Sequence, residues 1–401
     1  MVAAHPTTPA AAWHGGSRFA LPSDAEDAVL VGRVWDPAVG GPSPVVVRHG
    51  AVFDVSRDFP TVRDLCETAD PVADVSGVRG AALGDLDELL SNTDPARRDG
   101  SRPHLLAPID LQAIKAAGVT FVESMLERVI EERVHGRPDA AHAMRERLTR
   151  EIGTSLVEIR PGSAEAMALK SALVAEGLWS PYLEVGIGPD AEIFTKGQAL
   201  SAVGTLAPVG VLAESRWNNP EPEVVLVVTS SRRVVGATLG NDVNLRDVEG
   251  RSALLLPKAK DNNASCGIGP FIRLFDRGFS MDTVRRLVVR LDVEGADGFT
   301  LTSTSEMSRI SRDPEELVEQ LIGAHHRYPD GAVLMLGTMF APFVDRDEPG
   351  GGFTHRPGDV VRISTDALGG LVNHVQHSED CEPWTFGIRA LMRNLAERGL
   401  A

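Results

Sequence analysis

The sequence predicts a mixed α/β fold that is mainly β, with a smaller N-terminal β-rich domain before a larger second domain. Two features indicate this. Short apolar runs fill the first part of the chain and return after residue 182, and helix signals concentrate between residues 105 and 177. With 401 residues, 43% of them hydrophobic, the chain is long enough for two domains. We predict a flexible N-terminus over residues 1–20, the small domain over 21–104 and the larger one over 105–401.

The N-terminal domain is predicted from its strand and turn signals. Residues 28–35 and 44–48 are short apolar runs, and turns that contain glycine or proline flank them. Helices are predicted from the capping residue Thr61 to Thr68 and from Asp85 to Ser91. The stretch 92–102 is polar and rich in helix-breaking residues, so we place the domain boundary there.

The second domain is predicted to begin with helices and to continue mainly with strands. The helices span Glu127–Arg133, Asp139–Arg150 and Ser163–Glu176, and Asp313 caps a later one that has Pro314 at its first position. The predicted strands are Glu192–Lys196, Val224–Val228, Arg232–Gly240, Arg286–Val293, Val333–Thr338 and Asp359–Ile363. The final two of these are the last strands that the sequence indicates.

Composition argues against several classes of function. Acidic residues outnumber basic ones by 56 to 40, and the net charge of -16 argues against a nucleic-acid or anionic-membrane surface. Cys66, Cys266 and Cys381 are far apart in sequence, so neither a disulfide framework nor a thiolate zinc site is expected. No apolar run reaches the length of a membrane span, and no leader pattern opens the chain. We therefore expect a cytoplasmic protein with no nucleic-acid or membrane partner.

Two carboxylates precede the most apolar strand of the chain. Glu221 and Glu223 lie two residues apart, and in an extended backbone such residues point to the same side. At a separation of about 7 Å they repel each other unless a cation lies between them, and a hard cation with oxygen ligands fits best. Pro222 has no N–H and therefore predicts the start or the edge of a strand. The alternative is an exposed strand end with two solvated acids.

A third carboxylate follows the predicted return strand of the same hairpin. In an extended backbone Asp242, Asn244 and Arg246 share one side, which lines up an acid, an amide and a guanidinium. If the two strands pair, Asp242 completes a set of three carboxylates around one cation. Because this set has no histidine or cysteine, it favours Mg²⁺ or Mn²⁺. Asn241-Asp242 read alone is also typical of an Asx-turn.

The combined spacing of these motifs resembles the fumarylacetoacetate hydrolase superfamily. The motifs that carry the resemblance are Glu221-x-Glu223, Asn241-Asp242-x-x-x-Arg246-Asp247, Leu256-Pro257-x-x-Lys260, Gly267-Ile268-Gly269-Pro270, Gly337-Thr338 and Pro357-Gly358-Asp359. The resemblance implies a β-roll catalytic domain with Mg²⁺ on Glu221, Glu223 and Asp242, in a homodimer. It also implies that the metal chelates a 2-oxo acid or diketone and that Lys260 binds the oxygens of the substrate.

Four residues have a structural interpretation beside the functional one. Arg246 either contacts the substrate or pairs with a neighbouring carboxylate, and Thr338 either contacts the substrate or is a turn hydroxyl. Lys260 has an alternative as a solvated loop lysine, but the family spacing selects it over Lys258. We interpret Lys196 as structural.

The chain departs from the family pattern at the residue that activates water. Hydrolases of this superfamily with acylpyruvate-type substrates carry a histidine and, three residues later, a glutamate. Here Ser124 takes the place of the histidine, with Glu127 three residues on. Loss of the imidazole suits a reaction that needs no hydrolytic water. The chain is then most similar to the 2-keto-3-deoxy-pentonate dehydratases of pentose catabolism, with Glu123 or Glu127 as the base that removes a C3 proton. Each glutamate is alternatively an ordinary helix-surface acid.

The predicted activity is Mg²⁺- or Mn²⁺-dependent dehydration of 2-keto-3-deoxy-D-xylonate or 2-keto-3-deoxy-L-arabinonate to 2-oxoglutarate semialdehyde. Three alternatives stay open. They are a C–C hydrolase of an acylpyruvate with another base such as His135, a decarboxylase of an oxaloacetate-like acid, and a non-catalytic, cation-dependent sugar-acid binder. The expected partner is a small 2-oxo acid, and the expected assembly is a homodimer or a homotetramer.

Overall fold

The fold is built from strands that make one large and one smaller sheet. The computed structural model describes residues 16–148, 159–340, 344–347 and 352–401. The strands of this part of the chain are β1 (Leu30–Asp36), β2 (Gly41–Arg48), β3 (Ala51–Asp54), β4 (Ala81–Asp85), β5 (His104–Leu105), β6 (Ala113–Gly118), β7 (Glu192–Gly197), β8 (Pro208–Val211), β9 (Asn218–Asn219), β10 (Pro222–Val228), β11 (Val234–Asp242), β12 (Asn244–Leu245), β13 (Cys266–Leu274), β14 (Val288–Glu294), β15 (Thr300–Glu306), β16 (Ala332–Met335), β17 (Val360–Thr365) and β18 (Gly369–His377).

The large sheet has the strand order β4-β3-β2-β1-β13-β11-β10-β16-β6-β7, and β5 pairs with β1. Its neighbours are antiparallel except β16 and β6, which run parallel. The smaller sheet has the order β15-β14-β17-β18-β8, and the short strands β9 and β12 pair with each other. The predicted mixed fold, mainly β, is confirmed.

Helices lie around these sheets. Those of the described residues are α1 (Gly16–Ala20), α2 (Val62–Glu67), α3 (Pro71–Gly77), α4 (Leu86–Thr93), α5 (Val122–Arg133), α6 (Ala141–Leu148), α7 (Ala164–Ala175), α8 (Pro181–Ile187), α9 (Arg246–Glu249), α10 (Leu256–Lys260), α11 (Met281–Val284), α12 (Pro314–Leu321) and α13 (Ile388–Glu397). None of the helices in these ranges is both long and apolar enough to cross a bilayer.

Strand β10 is buried along its whole length because the sheet around it has a core on each face. Val224 and Leu226 face the core that the large sheet shares with the smaller one. Val225 and Val227 face the opposite core, which α2 helps to close. Alternation along the strand sends successive side chains to the two sides, so an uninterrupted apolar run is what this position requires.

The N-terminal strands continue the same large sheet. Residues Leu30 and Val31 of β1 pair with Arg273 and Ile272 of β13, so hydrogen bonding crosses the predicted boundary near residue 104. The division into domains at 21–104 and 105–401 therefore stays a prediction. Of the predicted flexible N-terminus, residues 1–15 lie outside the described part of the chain, and Gly16–Ala20 form α1.

Helices α5 to α8 pack on one another in a cluster of their own. Met125, Val129 and Ile130 of α5 meet Leu173 of α7 and Leu183 of α8 in this cluster. The predicted helix over 139–150 is observed as a 3₁₀ turn followed by α6, and residues 149–150 lie outside the described residues. The cluster positions α5 so that its first turns lie beside the ends of β10 and β11.

The prediction that Asp359–Ile363 is the last strand is wrong. β18 follows it and is buried between β17 and β8, and α13 comes after β18. The Gly369-Gly370 pair and the polar residues Asn373 and His374 are typical of a turn when read locally. Pairing on both sides turns this stretch into a strand, because neighbouring strands satisfy its backbone groups.

Candidate metal and substrate site

Three carboxylates converge where the β10–β11 hairpin opens. Glu221 precedes β10, Glu223 is its second residue, and Asp242 is the last residue of β11. The two strands pair antiparallel, and the Asp242 N–H donates to the Glu221 carbonyl oxygen at 3.0 Å. One oxygen of each carboxylate lies within 4.8 Å of the others, and all three residues are buried. The hairpin therefore brings together the residues that the sequence predicts as metal ligands.

Two buried lysines accompany the carboxylates. The Lys260 ammonium, at the end of α10, donates to Glu221 and, at 2.9 Å, to Asp242. Lys196 of β7 lies 2.8 Å from the other oxygen of Asp242 and donates to the carbonyl oxygens of Val243 and Lys260. Lys196 is fully buried and holds Asp242 in place, so its structural interpretation agrees with its contacts.

Burial and repulsion act differently on the three acids. Burial raises the pKa of Glu223 well above its ordinary range, and the charges of Asp242 and Glu221 raise it further. The only hydrogen bond that Glu223 accepts among the described residues comes from the Gly337 N–H, at 2.6 Å. Burial also disfavours the Asp242 anion, but Lys196 and Lys260 outweigh it and hold the pKa of that carboxyl below its ordinary value.

The site fits a divalent cation. Its donors are carboxylate oxygens, which suit Mg²⁺ and Mn²⁺. A cation at the cluster would relieve the repulsion that raises the pKa of Glu223. Lys260 supplies positive charge to two of the three acids, Glu221 and Asp242. Glu223 is left without a cationic partner of its own among the described residues.

A pocket with about 360 Å³ of empty space opens beside the three carboxylates. Two further acids line it, Glu192 at the start of β7 and Glu249 at the end of α9. Burial raises the pKa of Glu249 to about 7, although Arg128 opposes the shift. Burial raises the pKa of Glu192 as well. Carboxyls with raised pKa values in a cleft are candidates for proton transfer.

Glu192 reaches the pocket because Gly118 gives it room. Gly118 of β6 pairs with Glu192 across the sheet edge. A Cβ atom at residue 118 would lie 2.1 Å from a carboxylate oxygen of Glu192. The glycine is therefore required by the close approach of this carboxylate and not by its own backbone conformation.

Arg128 is a residue of helix α5 that lines the pocket and pairs with acids around it. Its mostly buried guanidinium lies 2.7 Å from Glu131, contacts Glu221, and lies 3.3 Å from Glu249. Four of these residues were not predicted from the sequence as site residues: Arg128, Glu131, Glu192 and Glu249. One signal was available for Arg128, which stands four residues after Ser124 and so shares its helix face. Glu192 stands four residues before Lys196 on an alternating strand, which puts both on one side.

Of the three predicted catalytic residues on α5, only Ser124 lines the pocket. Ser124 lines it, and its hydroxyl donates to the Phe121 carbonyl oxygen at 3.0 Å. Glu123 pairs with Arg309. Glu127 accepts from Arg145 at 2.6 and 2.8 Å and from Arg246 at 2.9 Å. Neither glutamate is among the residues that line the pocket.

Of the two remaining predicted substrate contacts, Thr338 lines the pocket and Arg246 does not. Thr338 lines the pocket beside Gly337, and its hydroxyl accepts from the Phe340 N–H at 3.1 Å. Arg246 does not share the side of Asp242, because the chain turns through β12 and begins α9 at residue 246. Its guanidinium pairs with Glu127 and Glu131 behind the pocket.

A protein-family model matches the second part of the chain. Residues 189–376 match the family model described as Fumarylacetoacetate (FAA) hydrolase C-terminal. This segment contains Glu192, the three carboxylates of the hairpin and Lys260. The resemblance that the sequence motifs carry is therefore confirmed over this segment of the chain.

Two relatives are similar to about half of the chain. Over 198 residues the chain is 32% identical to "Probable 2-keto-3-deoxyxylonate dehydratase" of Haloferax volcanii, a match that covers 48% of this chain and 63% of that protein. Over 193 residues it is 31% identical to "2-dehydro-3-deoxy-D-arabinonate dehydratase" of Saccharolobus solfataricus, covering 46% and 58%. The chain thus spans about three fifths of the length of the relatives it matches.

Solved structures share the fold over most of the chain. The apo form of 2-keto-3-deoxy-D-arabinonate dehydratase aligns with a TM-score of 0.61 at 20% identity, covering 87% of this chain and 99% of that one. The structure of that enzyme complexed with magnesium and 2,5-dioxopentanoate aligns with a TM-score of 0.60 over the same shares at the same identity. At this identity the likeness shows the fold alone.

Proposed function

We propose that the protein is a metal-dependent dehydratase that converts a 2-keto-3-deoxy-pentonate, of the D-xylonate or L-arabinonate series, to 2-oxoglutarate semialdehyde. The observation that carries the proposal is a pocket in which three carboxylates meet a buried lysine, while the described residues that line it include no histidine. Such a site suits chelation of a 2-oxo acid but lacks the imidazole expected for water activation. The names of the two curated relatives support the same reaction.

The metal would be held by Glu221, Glu223 and Asp242, and Mg²⁺ or Mn²⁺ is the ion that their oxygens favour. When bound, it would polarise the 2-oxo group and so acidify the C3 protons of the substrate. Lys260 is placed to bind the oxygens of the substrate, because its ammonium lies among these acids. Lys196 keeps Asp242 ionised and in position.

Glu192 and Glu249 take the proton-transfer roles in this proposal. Glu192, on one wall of the pocket, removes a proton from C3. The C4 hydroxyl leaves as water after it receives a proton from Glu249, a carboxyl whose pKa is raised by burial. A proton then moves from C5 to C3, and the resulting enol becomes the aldehyde. Glu123 and Glu127, the bases that the sequence suggests, are held in ion pairs, and neither of them lines this pocket.

The hydrolase alternative requires another base, and His135 is poorly placed for that role. Ser124 lines the pocket near the start of α5, whereas His135 follows the last residue of the helix and is exposed. At about 1.5 Å per residue the two are separated by roughly 16 Å along the axis. A histidine at that distance does not reach a substrate that is bound beside Glu221.

The test is to incubate the purified protein and Mg²⁺ with 2-keto-3-deoxy-D-xylonate or 2-keto-3-deoxy-L-arabinonate and to measure aldehyde formation. We expect an aldehyde product that disappears on chelation of the metal. Absence of aldehyde with either substrate would contradict the proposal. Release of pyruvate from an acylpyruvate would then favour the hydrolase, and release of CO₂ from an oxaloacetate-like acid the decarboxylase. Metal-dependent binding without product would favour the non-catalytic binder.

We further propose a cytoplasmic location and assembly as a homodimer or a homotetramer. The three cysteines are free and buried, which suits a reducing compartment. Size-exclusion chromatography with light scattering measures the assembly directly.

A further inference from the structure

A second cavity adjoins the metal pocket. It has about 220 Å³ of empty space, which includes open solvent at its mouth, and it shares Ser124, Arg128 and Glu221 with the lining of the first. Its other walls are Glu127, Glu131, Asn219, Arg246 and Phe340. The shared residues stand between the two cavities, so the tail of a molecule whose 2-oxo acid end lies at the three carboxylates would pass the Arg128–Glu221 ion pair to enter this cavity.

Two buried polar atoms at this cavity have no hydrogen-bond partner among the described residues. They are Nη1 of Arg246 and Oδ1 of Asn219. Both residues are 2% exposed, so water at the protein surface does not satisfy these atoms. Leaving a buried donor and a buried acceptor unpaired is costly, so such atoms indicate a missing partner.

Both side chains are fixed by their other contacts. Arg246 donates from Nε to Glu131 at 2.6 Å and from Nη2 to Glu127 at 2.9 Å, and its guanidinium lies 4.1 Å from the centre of the Trp217 ring. Asn219 donates from Nδ2 to the Pro220 carbonyl oxygen at 2.8 Å, which fixes the direction of Oδ1. Residues Asn219 and Asn244 pair across β9 and β12, which brings Arg246 next to this strand. Rotating either side chain to bring its free atom to a partner elsewhere would break these hydrogen bonds.

One donor and one acceptor together select a hydroxyl group. A hydroxyl is the group that can accept from a guanidinium and donate to an amide oxygen at the same time. A carboxylate would leave Asn219 unpaired, and Glu127 and Glu131 already balance the charge of Arg246. An ammonium group would face the guanidinium of Arg246 and be repelled.

We propose that this cavity is the subsite for the terminal, hydroxyl-bearing carbon of the substrate, with Asn219 and Arg246 as its specificity-determining residues. The inference rests on the proposed function only for the position of the 2-oxo acid end. It explains how the site selects a hydroxylated tail over the apolar or keto tail of an acylpyruvate. An enzyme that hydrogen-bonds a hydroxyl discriminates strongly against an analogue that lacks it.

The test compares two ligands that have no C4 hydroxyl and so cannot undergo the dehydration. These are 5-hydroxy-2-oxopentanoate and 2-oxopentanoate, titrated calorimetrically into the wild-type protein with Mg²⁺. We expect the hydroxylated ligand to bind about tenfold more tightly, the contribution of one buried hydrogen-bonding group. In Asn219→Ala this preference should shrink severalfold, while the affinity for pyruvate, which has no tail, stays unchanged.

Equal affinities of the two ligands for the wild-type protein would overturn the proposal, and so would a full preference retained in Asn219→Ala. If the variant does not fold, the wild-type comparison alone decides. A preference for the hydroxyl without any aldehyde formation from the pentonates would refute the proposed reaction and leave the subsite intact. The two proposals therefore fail separately.

Discussion

At the scale of single residues, the site depends on buried charges that neutralise one another. Lys196 and Lys260 approach the two oxygens of Asp242 at 2.8 and 2.9 Å. Taking these ions out of water is costly, and only close pairing offsets the cost. The same pairing keeps Asp242 ionised, which is the state that a metal ligand requires.

Removal of Lys196 should therefore destabilise the protein strongly. We expect Lys196→Met to lower the free energy of unfolding by about 3–5 kcal/mol, because Asp242 loses a fully buried partner. Urea denaturation measures the change. The control is Lys258→Met, whose lysine pairs with Glu214 at the surface and should cost less than about 1 kcal/mol. Equal effects of the two substitutions would contradict this role of Lys196.

Glu249 should make stability depend on pH. Burial raises its pKa from the ordinary 4.5 to about 7, so the folded protein binds this proton more tightly than the unfolded chain. The free energy of unfolding should then fall as pH rises from about 4.5 to about 7, by up to about 3 kcal/mol. Urea denaturation of metal-free protein across this range should show a smaller fall for Glu249→Gln than for the wild type. Exposed Glu319 offers the control, and a slope for Glu249→Gln equal to that of Glu319→Gln would refute the assignment.

At the scale of elements, the sequence predicted secondary structure well where that structure depends on contacts between residues close together in the chain. Thr61 and Asp313 cap helices α2 and α12 as expected, because a cap is a contact between near neighbours. The β10–β11 hairpin is equally local, and it alone brings the three carboxylates together. β13 was missed, since its glycines and Pro270 are typical of turns until β1 and β11 pair with it.

The parts of the site that come from other elements were not predictable in this way. Glu192, Arg128 and Glu249 reach the pocket from β7, α5 and α9, and their meeting depends on how these elements pack. Arg246 was expected beside Asp242 because an extended backbone was assumed. The turn at β12 sends it to the second cavity instead.

The pairing of β6 with β7 yields a prediction at this scale. In Gly118→Ala the new Cβ displaces the Glu192 carboxylate, which is the flexible end of a side chain, so the fold should persist. We expect dehydration to slow by at least about a hundredfold, the usual contribution of a general base. Steady-state rates and thermal melts measure the two effects. As a control, Thr195→Ala changes an exposed residue of the same strand and should leave the rate near wild type. An unchanged rate in Gly118→Ala would argue against Glu192 as the base.

At the scale of the whole molecule, the site lies where the large sheet meets the helical cluster. The carboxylates belong to the sheet, whereas Ser124 and Arg128 belong to α5 and its cluster. Ion pairs between α5 and the sheet, such as Arg128 with Glu221, link the two parts across the pocket. Binding of a cation at the carboxylates therefore bears on the stability of the whole fold.

Metal binding should raise global stability. At a free Mg²⁺ concentration of about 100 times Kd, the free energy of unfolding should rise by about 2.7 kcal/mol. Chelation should reverse the gain, and Asp242→Asn should abolish the dependence on Mg²⁺. Asp261→Asn, at an exposed position near the site, should retain it. A Mg²⁺ dependence that is the same in both variants would place the ion elsewhere.

The central claim is that Glu221, Glu223 and Asp242 hold one divalent ion that binds a 2-oxo acid. Anomalous diffraction from crystals grown with Mn²⁺ and pyruvate tests it most directly. We predict one strong anomalous peak within coordination distance, about 2.2 Å, of an oxygen from each carboxylate, with pyruvate bound to the same ion. No peak there, or a peak at a different group of residues, would contradict the account.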